Sequence, residues 1–279
     1  MALRANPHQK IGDLTVTALS DGQLTLSLDL LSNITSADAS RMESLAGIKD
    51  ATAVNINCFV IRGLGHTILV DGGAGGFKQW GGHLKTNLLL AGVQPAEVDM
   101  VLLTHAHPDH VGGLLDASEE PTFPNAELVV NQSELAFWQS DSNLNRAPER
   151  ARANFQLSRQ VFNGYGERLR TFESGVVAPG VTSVLLPGHT VGHSGYLIES
   201  GRQSLLVWGD IVHFPAIQIA RPDVSIALDN DPQLAAKTRM KLLDRVSSEG
   251  LLIAGMHLNP LGFAHIGRTG STFDVFYEE

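Results

Sequence analysis

His105-Ala106-His107-Pro108-Asp109-His110 decides how this chain is read. Three imidazoles and a carboxylate within six positions make a metal-ligating run, since these are donors that zinc, iron and manganese accept. The residues before it, Val98-Asp99-Met100-Val101-Leu102-Leu103-Thr104, are apolar and β-branched enough to form a buried strand. Ligands leaving a strand end are held by a rigid element, which a metal site needs. His105 and His107 are two apart, so an extended backbone turns both to one side. Asp109 and His110 fall where the chain enters Val111-Gly112-Gly113-Leu114-Leu115, a predicted helix start, from which they could face a second metal.

The same theme recurs downstream. Val181-Thr182-Ser183-Val184-Leu185-Leu186 reads as a strand and is followed by Pro187-Gly188-His189-Thr190-Val191-Gly192-His193. Leu205-Leu206-Val207-Trp208-Gly209-Asp210 is a strand ending in a carboxylate, and Leu251-Leu252-Ile253-Ala254-Gly255-Met256-His257 one ending in a histidine. Four predicted strands that each end in a metal donor are a stronger signal than the hexapeptide alone.

With these residues the chain resembles the metallo-β-lactamase superfamily, through His105, His107, Asp109, His110, His189, Asp210 and His257, and through the strand-end turn Ile68-Leu69-Val70-Asp71-Gly72-Gly73. The likeness runs from about residue 12 to residue 277. Leu19-Ser20-Asp21-Gly22, Phe123-Pro124-Asn125-Ala126, Phe137-Trp138 and Gly188-His189-Thr190 to Gly192-His193 are most similar to the methyl parathion hydrolase branch, a neighbour of the acyl-homoserine lactonases. The resemblance implies an α+β, four-layer αβ/βα sandwich in a single domain, with metals at one sheet edge. Periodicity alone gives only mixed α and β. The resemblance also implies two divalent ions, zinc first, with iron, manganese or cobalt as alternatives. His105, His107 and His189 would hold one ion, Asp109, His110 and His257 the other, and Asp210 would bridge. It implies a homodimer as well.

Composition narrows the classes. Hydrophobic residues make up 43% and charged residues 18% of 279, an ordinary globular balance that supports a core without staples. One cysteine, Cys58, excludes an intrachain disulfide and reads as a buried, inert thiol. A net charge of −9 without a basic block disfavours nucleic acid as a partner. No run approaches the ~20 apolar residues of a membrane span, and the first ten residues lack an apolar signal core. The expected location is cytoplasmic, or periplasmic or secreted if a leader has been removed.

Along the chain, Leu14 to Leu19 and Gln23 to Leu28 read as a hairpin joined at Ser20-Asp21-Gly22. A helix is predicted over Ser36 to Ala46 with Ser36 as N-cap, then strands at Val54 to Ile61 and His66 to Val70. A helix is expected near His83 to Ala91, a strand over 98–104, a strand at Glu127 to Val130 and a helix over Gln132 to Gln139. Residues 140–170, polar and Arg-rich, read as a helical insertion beside the site, and Pro232 to Val246 as an amphipathic helix. The loop Gly72-Gly73-Ala74-Gly75-Gly76 lacks the Lys-Ser/Thr ending of a P-loop and makes a poor phosphate cradle.

Asp109, Asp210 and His213 are the candidate catalytic residues. His213 stands three residues after Asp210, where the similar lactonases carry a tyrosine near the substrate carbonyl and the parathion-hydrolase branch an apolar residue. It could polarise a carbonyl or protonate a leaving group, or simply be structural. His193 is read as orienting His189 or its loop, Asp71 as a hydrogen-bond partner of backbone or of a ligand histidine, and His265 as a packing residue or a support behind the ligands rather than a catalytic one. Phe77, Trp138 and His213 are expected in the substrate pocket. The expected activity is a dinuclear, metal-bridging-hydroxide attack on lactones or aryl esters, with organophosphate triesters as a side activity. The contrasting expectation is a metal-bearing binding or signalling protein with little turnover.

Overall fold

The computed structural model describes residues 6–278. Fourteen strands form two seven-stranded sheets in which spatial order follows chain order. The first sheet holds β1 (His8–Ile11), β2 (Leu14–Thr25), β3 (Ala53–Gly63), β4 (His66–Val70), β5 (Met100–Leu102), β6 (Glu127–Asn131) and β7 (Leu169–Phe172). The second holds β8 (Gly175–Ala178), β9 (Val181–Leu185), β10 (Ser194–Ser200), β11 (Gln203–Val207), β12 (Leu252–Ala254), β13 (Phe263–Thr269) and β14 (Thr272–Tyr277). β4 to β7 run parallel to one another, as do β11 and β12; the remaining pairings are antiparallel.

Alternation along the strands builds three of the four apolar clusters among the described residues. Ile68, Val70 and Leu102 of the first sheet meet Leu205, Val207 and Ala254 of the second, forming the layer between the sheets. Leu69 and Val101 point the other way, onto α2 (Leu84–Leu90) and α6 (Glu149–Tyr165). Leu206 and Ile253 point away from the first sheet, onto α8 (Pro232–Glu249). Helices therefore cover both outer faces, and the layers are αβ/βα as expected. The polar edge of α6 faces water, while Phe155, Val161 and Phe162 are buried.

The expected hairpin at Ser20-Asp21-Gly22 is instead a bulge within the single strand β2, where the pairing with β3 shifts between Ser20 and Gly22. An Asp-Gly pair reads as a tight turn, but here the buried Asp21 carboxylate accepts the Ala74 and Leu84 amides. The bulge thus anchors the glycine loop after β4. The N-cap of α1 (Ser36–Leu45) is Thr35 rather than Ser36. The strand expected over 98–104 keeps only its central three residues. Beyond it the helix α3 (Pro108–Val111) is a single turn with Pro108 in its first turn. α4 (Gln132–Gln139) falls as expected, and α5 (Asp141–Arg146) with α6 makes 140–170 largely helical.

Candidate metal centre

Every predicted ligand leaves the same edge of the sandwich. Asp71 follows β4, His105 and His107 follow β5, His189 follows β9, Asp210 follows β11 and His257 follows β12. His107 Nδ1 lies 2.9 Å from both His105 Nε2 and His189 Nε2. Nearby, His110 Nε2 is 3.4 Å from Asp109 Oδ2, and His257 Nε2 is 3.6 Å from the same oxygen. Asp210 touches both groups: Oδ2 is 3.6 Å from His105, 3.5 Å from His189 and 3.1 Å from His257, while Oδ1 is 3.3 Å from His110.

The outward nitrogens are tied down. His189 Nδ1 is 2.8 Å from Asp229 Oδ1, His110 Nδ1 is 2.7 Å from Asp71 Oδ2 and His257 Nδ1 is 2.7 Å from the Asn55 carbonyl. Each of these acceptors can accept from Nδ1–H and so turns Nε2 inward, the orientation a metal ligand requires. His110 Nε2 and Asp210 Oδ1 are buried without a hydrogen-bond partner. Burial pushes His105 and His107 well below the usual histidine range, so both stay neutral. Burial also opposes charge on His110, yet Asp210, Asp109 and Asp71 draw its pKa well above normal. Those three carboxylates are buried, and among the described residues no Lys or Arg pairs with them. Buried carboxylates without a Lys or Arg partner, facing converging imidazole nitrogens, fit divalent cations.

The surrounding shell explains how the loops hold this shape. Asp71, at φ 61°, accepts the Thr104 amide and hydroxyl as well as His110. His193 does not touch His189 by hydrogen bond but holds its loop and Asp210: its Nδ1 donates to the Leu186 carbonyl, and its Nε2 accepts the Asp210 amide at 2.9 Å. Gly209, at φ 61°, lies against that ring nitrogen, and a Cβ there would overlap it. Two anchors escaped the sequence reading. Glu134 is fully buried and accepts from the Ala106 amide, the Trp138 indole, the Thr190 hydroxyl and the Gly192 amide. Asp229 carries His189. Glu134 sits in an ordinary helical pattern, and Asp229 is hidden in the run Asp229-Asn230-Asp231, where Asp231 caps α8.

His213 belongs to the centre. It is buried, its Nε2 is 3.3 Å from Asp210 Oδ2, and its ring stacks on His257 at 5.0 Å. Its Nδ1 has no partner, and burial pushes its pKa down to about 4. His265 stands half-exposed on β13 beside Glu278, apart from the cluster. Cys58 is buried in β3, as expected.

A cavity of about 570 Å³ opens onto His107, Asp109, Asp210 and His213. Trp138 lines it while packing against Phe155, so it serves both wall and core. Phe77 does not line it: Trp80 and Lys78 stand there instead, and Phe77 packs edge-on to Trp80 at 6.2 Å. The loop after Gly76 turns through left-handed values at Lys78 and Gln79, which reverses the side that each residue presents. The glycine loop itself packs backbone to backbone against Gly112 and Gly113, so it is a packing element rather than a phosphate cradle.

The four-layer sandwich gathers six imidazoles and two carboxylates at one edge, a donor set that could hold metal ions. The chain belongs to the metallo-beta-lactamase superfamily, whose sequence model matches residues 51–257. The solved structure of AbOPH, a hydrolase of the beta-lactamase superfamily, superposes with a TM-score of 0.93 at 29% identity, covering 100% of this chain and 99% of that one. AidC, a dizinc quorum-quenching lactonase solved with the product N-hexanoyl-L-homoserine, superposes with a TM-score of 0.91 at 24% identity, covering 99% and 98%. Probable metallo-hydrolases of Mycobacterium bovis and Mycobacterium tuberculosis are each 28% identical over 159 residues, 55% of this chain and 49% of theirs. The chain thus spans about half the length of the curated relatives it matches. No helix among the described residues is long and apolar enough to cross a membrane.

Proposed function

We propose that the protein is a dinuclear metal-dependent hydrolase of lactones and aryl esters, with organophosphate triesters as a weaker side activity. The observation that carries this reading is the inward convergence of imidazole and carboxylate donor atoms, with the outer nitrogens of His110, His189 and His257 fixed by hydrogen bonds. His105, His107 and His189 would hold one divalent ion, Asp109, His110 and His257 a second, and Asp210 stands between them. When bound, two such ions lower the pKa of water from 15.7 to about 7 and stabilise negative charge developing on a carbonyl or phosphoryl oxygen. Zinc suits the imidazole-carboxylate donors, and iron, manganese and cobalt suit them too.

The chain's own residues supply orientation. Asp229, Asp71 and the Asn55 carbonyl fix three imidazoles, and His193 fixes Asp210 through its amide. His213 is neutral at working pH, so it serves as a hydrogen-bond donor to the substrate carbonyl or leaving oxygen rather than as a charged acid. Trp80, Phe137, Trp138 and Phe155 make the cavity wall aromatic, which suits an aryl or acyl group. The AidC likeness favours lactones among these substrates, and the AbOPH likeness favours a hydrolase in general.

Metal-stripped protein reloaded with zinc, cobalt or manganese should bind about two ions per chain. It should then hydrolyse dihydrocoumarin, acyl-homoserine lactones or p-nitrophenyl esters faster than paraoxon. Absence of metal-dependent turnover on all four would favour a metal-bearing binding protein. His213→Phe should lower lactone kcat by about 10²-fold with metal content kept; unchanged turnover removes His213 from the mechanism. The homodimer belongs to the same reading and is checked by sedimentation.

A further inference from the structure

The cavity above the centre is unequally charged. Its carboxylates, Asp109, Asp210 and Asp229, lie at its deep end and each faces an imidazole. No other carboxylate lines it among the described residues. Its outer part carries three exposed cations, Lys78, Arg146 and Arg150, in a chain whose net charge is −9. The six Lys/Arg ion pairs of the described residues all lie elsewhere.

These cations are incompletely used by the fold. Arg146 donates from Nε to the Ser142 carbonyl and from one Nη to Asn143 Oδ1. Among the described residues Arg150 reaches only the Ala227 carbonyl, at 3.5 Å. A guanidinium has five N–H donors, so most of this capacity is free, and it matches a carboxylate or phosphate in a fork. Lys78 arrives from a separate segment, with its ammonium 5.3 Å from the Phe77 and Trp80 rings. Two left-handed non-glycine residues in succession, Lys78 and Gln79, hold that segment at the cavity. The outer part of the cavity therefore attracts anions, against the overall sign of the protein.

We infer that the pocket selects esters or lactones bearing an anionic group, a carboxylate or phosphate, at the end remote from the scissile bond. The aromatic wall takes the apolar middle of the substrate, and Arg146, Arg150 and Lys78 take its charged end. This inference rests on the hydrolase reading above for the position of the scissile bond.

The test compares two esters of equal chain length, p-nitrophenyl hexanoate and mono-p-nitrophenyl adipate, on the zinc-loaded protein. The adipate monoester should show a kcat/KM about tenfold higher at low salt, mostly through KM. That ratio should fall to about 1 or below in Arg146→Glu/Arg150→Glu, and shrink between about 0.02 M and about 0.5 M salt. Lys241→Glu, an exposed charge reversal on α8 away from the cavity, should leave the ratio in place. Calorimetric titration with the non-hydrolysed pair, adipic acid monoanilide and hexananilide, reads the same preference without turnover. The monoanilide should bind about tenfold tighter, and the double variant should abolish the difference. Equal affinities in the unmodified protein, or a difference the double variant leaves intact, would overturn the inference. Failure of every ester to react while the anilides still differ would instead overturn the hydrolase reading.

Discussion

At the scale of single residues, the centre depends on groups that fix ligands as much as on the ligands. Asp229 sets the tautomer of His189 through a 2.8 Å contact. Asp229→Asn should therefore weaken metal binding about 10–100-fold, measured by competition with a chelator; an unchanged constant would mean the contact is incidental. Glu134 satisfies four donors from three segments inside the protein. Glu134→Ala should cost about 3–5 kcal/mol in urea unfolding of the metal-loaded protein, because those donors stay buried and unpaired. A loss below about 1 kcal/mol would show that water replaces the carboxylate. Neither anchor is visible in the sequence. One carboxylate in a helix and one near a helix start look like any surface acid until long-range packing encloses them.

At the scale of elements, strand ends and the turns after them do the positioning. Gly209 links β11 to Asp210 in a left-handed turn against His193. Gly209→Ala should destabilise the fold by about 1–3 kcal/mol and lower metal content, since the new methyl meets the ring that holds the Asp210 amide. Full metal occupancy in that variant would show the turn to be adaptable. The strands themselves were legible, because short apolar runs such as Ile68-Leu69-Val70 and Leu205-Leu206-Val207, bounded by turn residues, suit buried strands. The bulge at Asp21 was not, since Asp-Gly in isolation prefers a turn and only pairing with β3 keeps β2 straight through it. The side of the loop on which Phe77, Lys78 and Trp80 fall was likewise hidden, because two left-handed residues in succession break any simple periodicity.

At the scale of the whole molecule, buried charge links stability to pH. Glu43 is buried with one carboxyl oxygen unpartnered, and burial raises its pKa to about 7. The folded state therefore keeps a proton that the unfolded chain has lost. The stability Glu43 contributes is present at pH below its ordinary value of 4.5 and declines as pH rises to about 7. Glu43→Gln should flatten that decline in unfolding measured across the window; an unaltered profile would assign it to other groups. Metal acts in the opposite sense to unfolding. Zinc at about 100 times its dissociation constant should add about 2.7 kcal/mol per site and raise Tm. An unmoved Tm would sink the metal-centre reading.

The sequence alone determined the main strands, the candidate metal donors and their placement at strand ends, and implied the four layers only through the resemblance it carries. Strand hydrophobicity is local and the imidazole-rich hexapeptide has few other physical uses. Tertiary structure decided which residues fix those donors, where His213 stands and which side chains line the cavity. Those outcomes depend on contacts between segments up to two hundred residues apart, as between Asn55 and His257, and no local pattern encodes which buried acid will meet which imidazole.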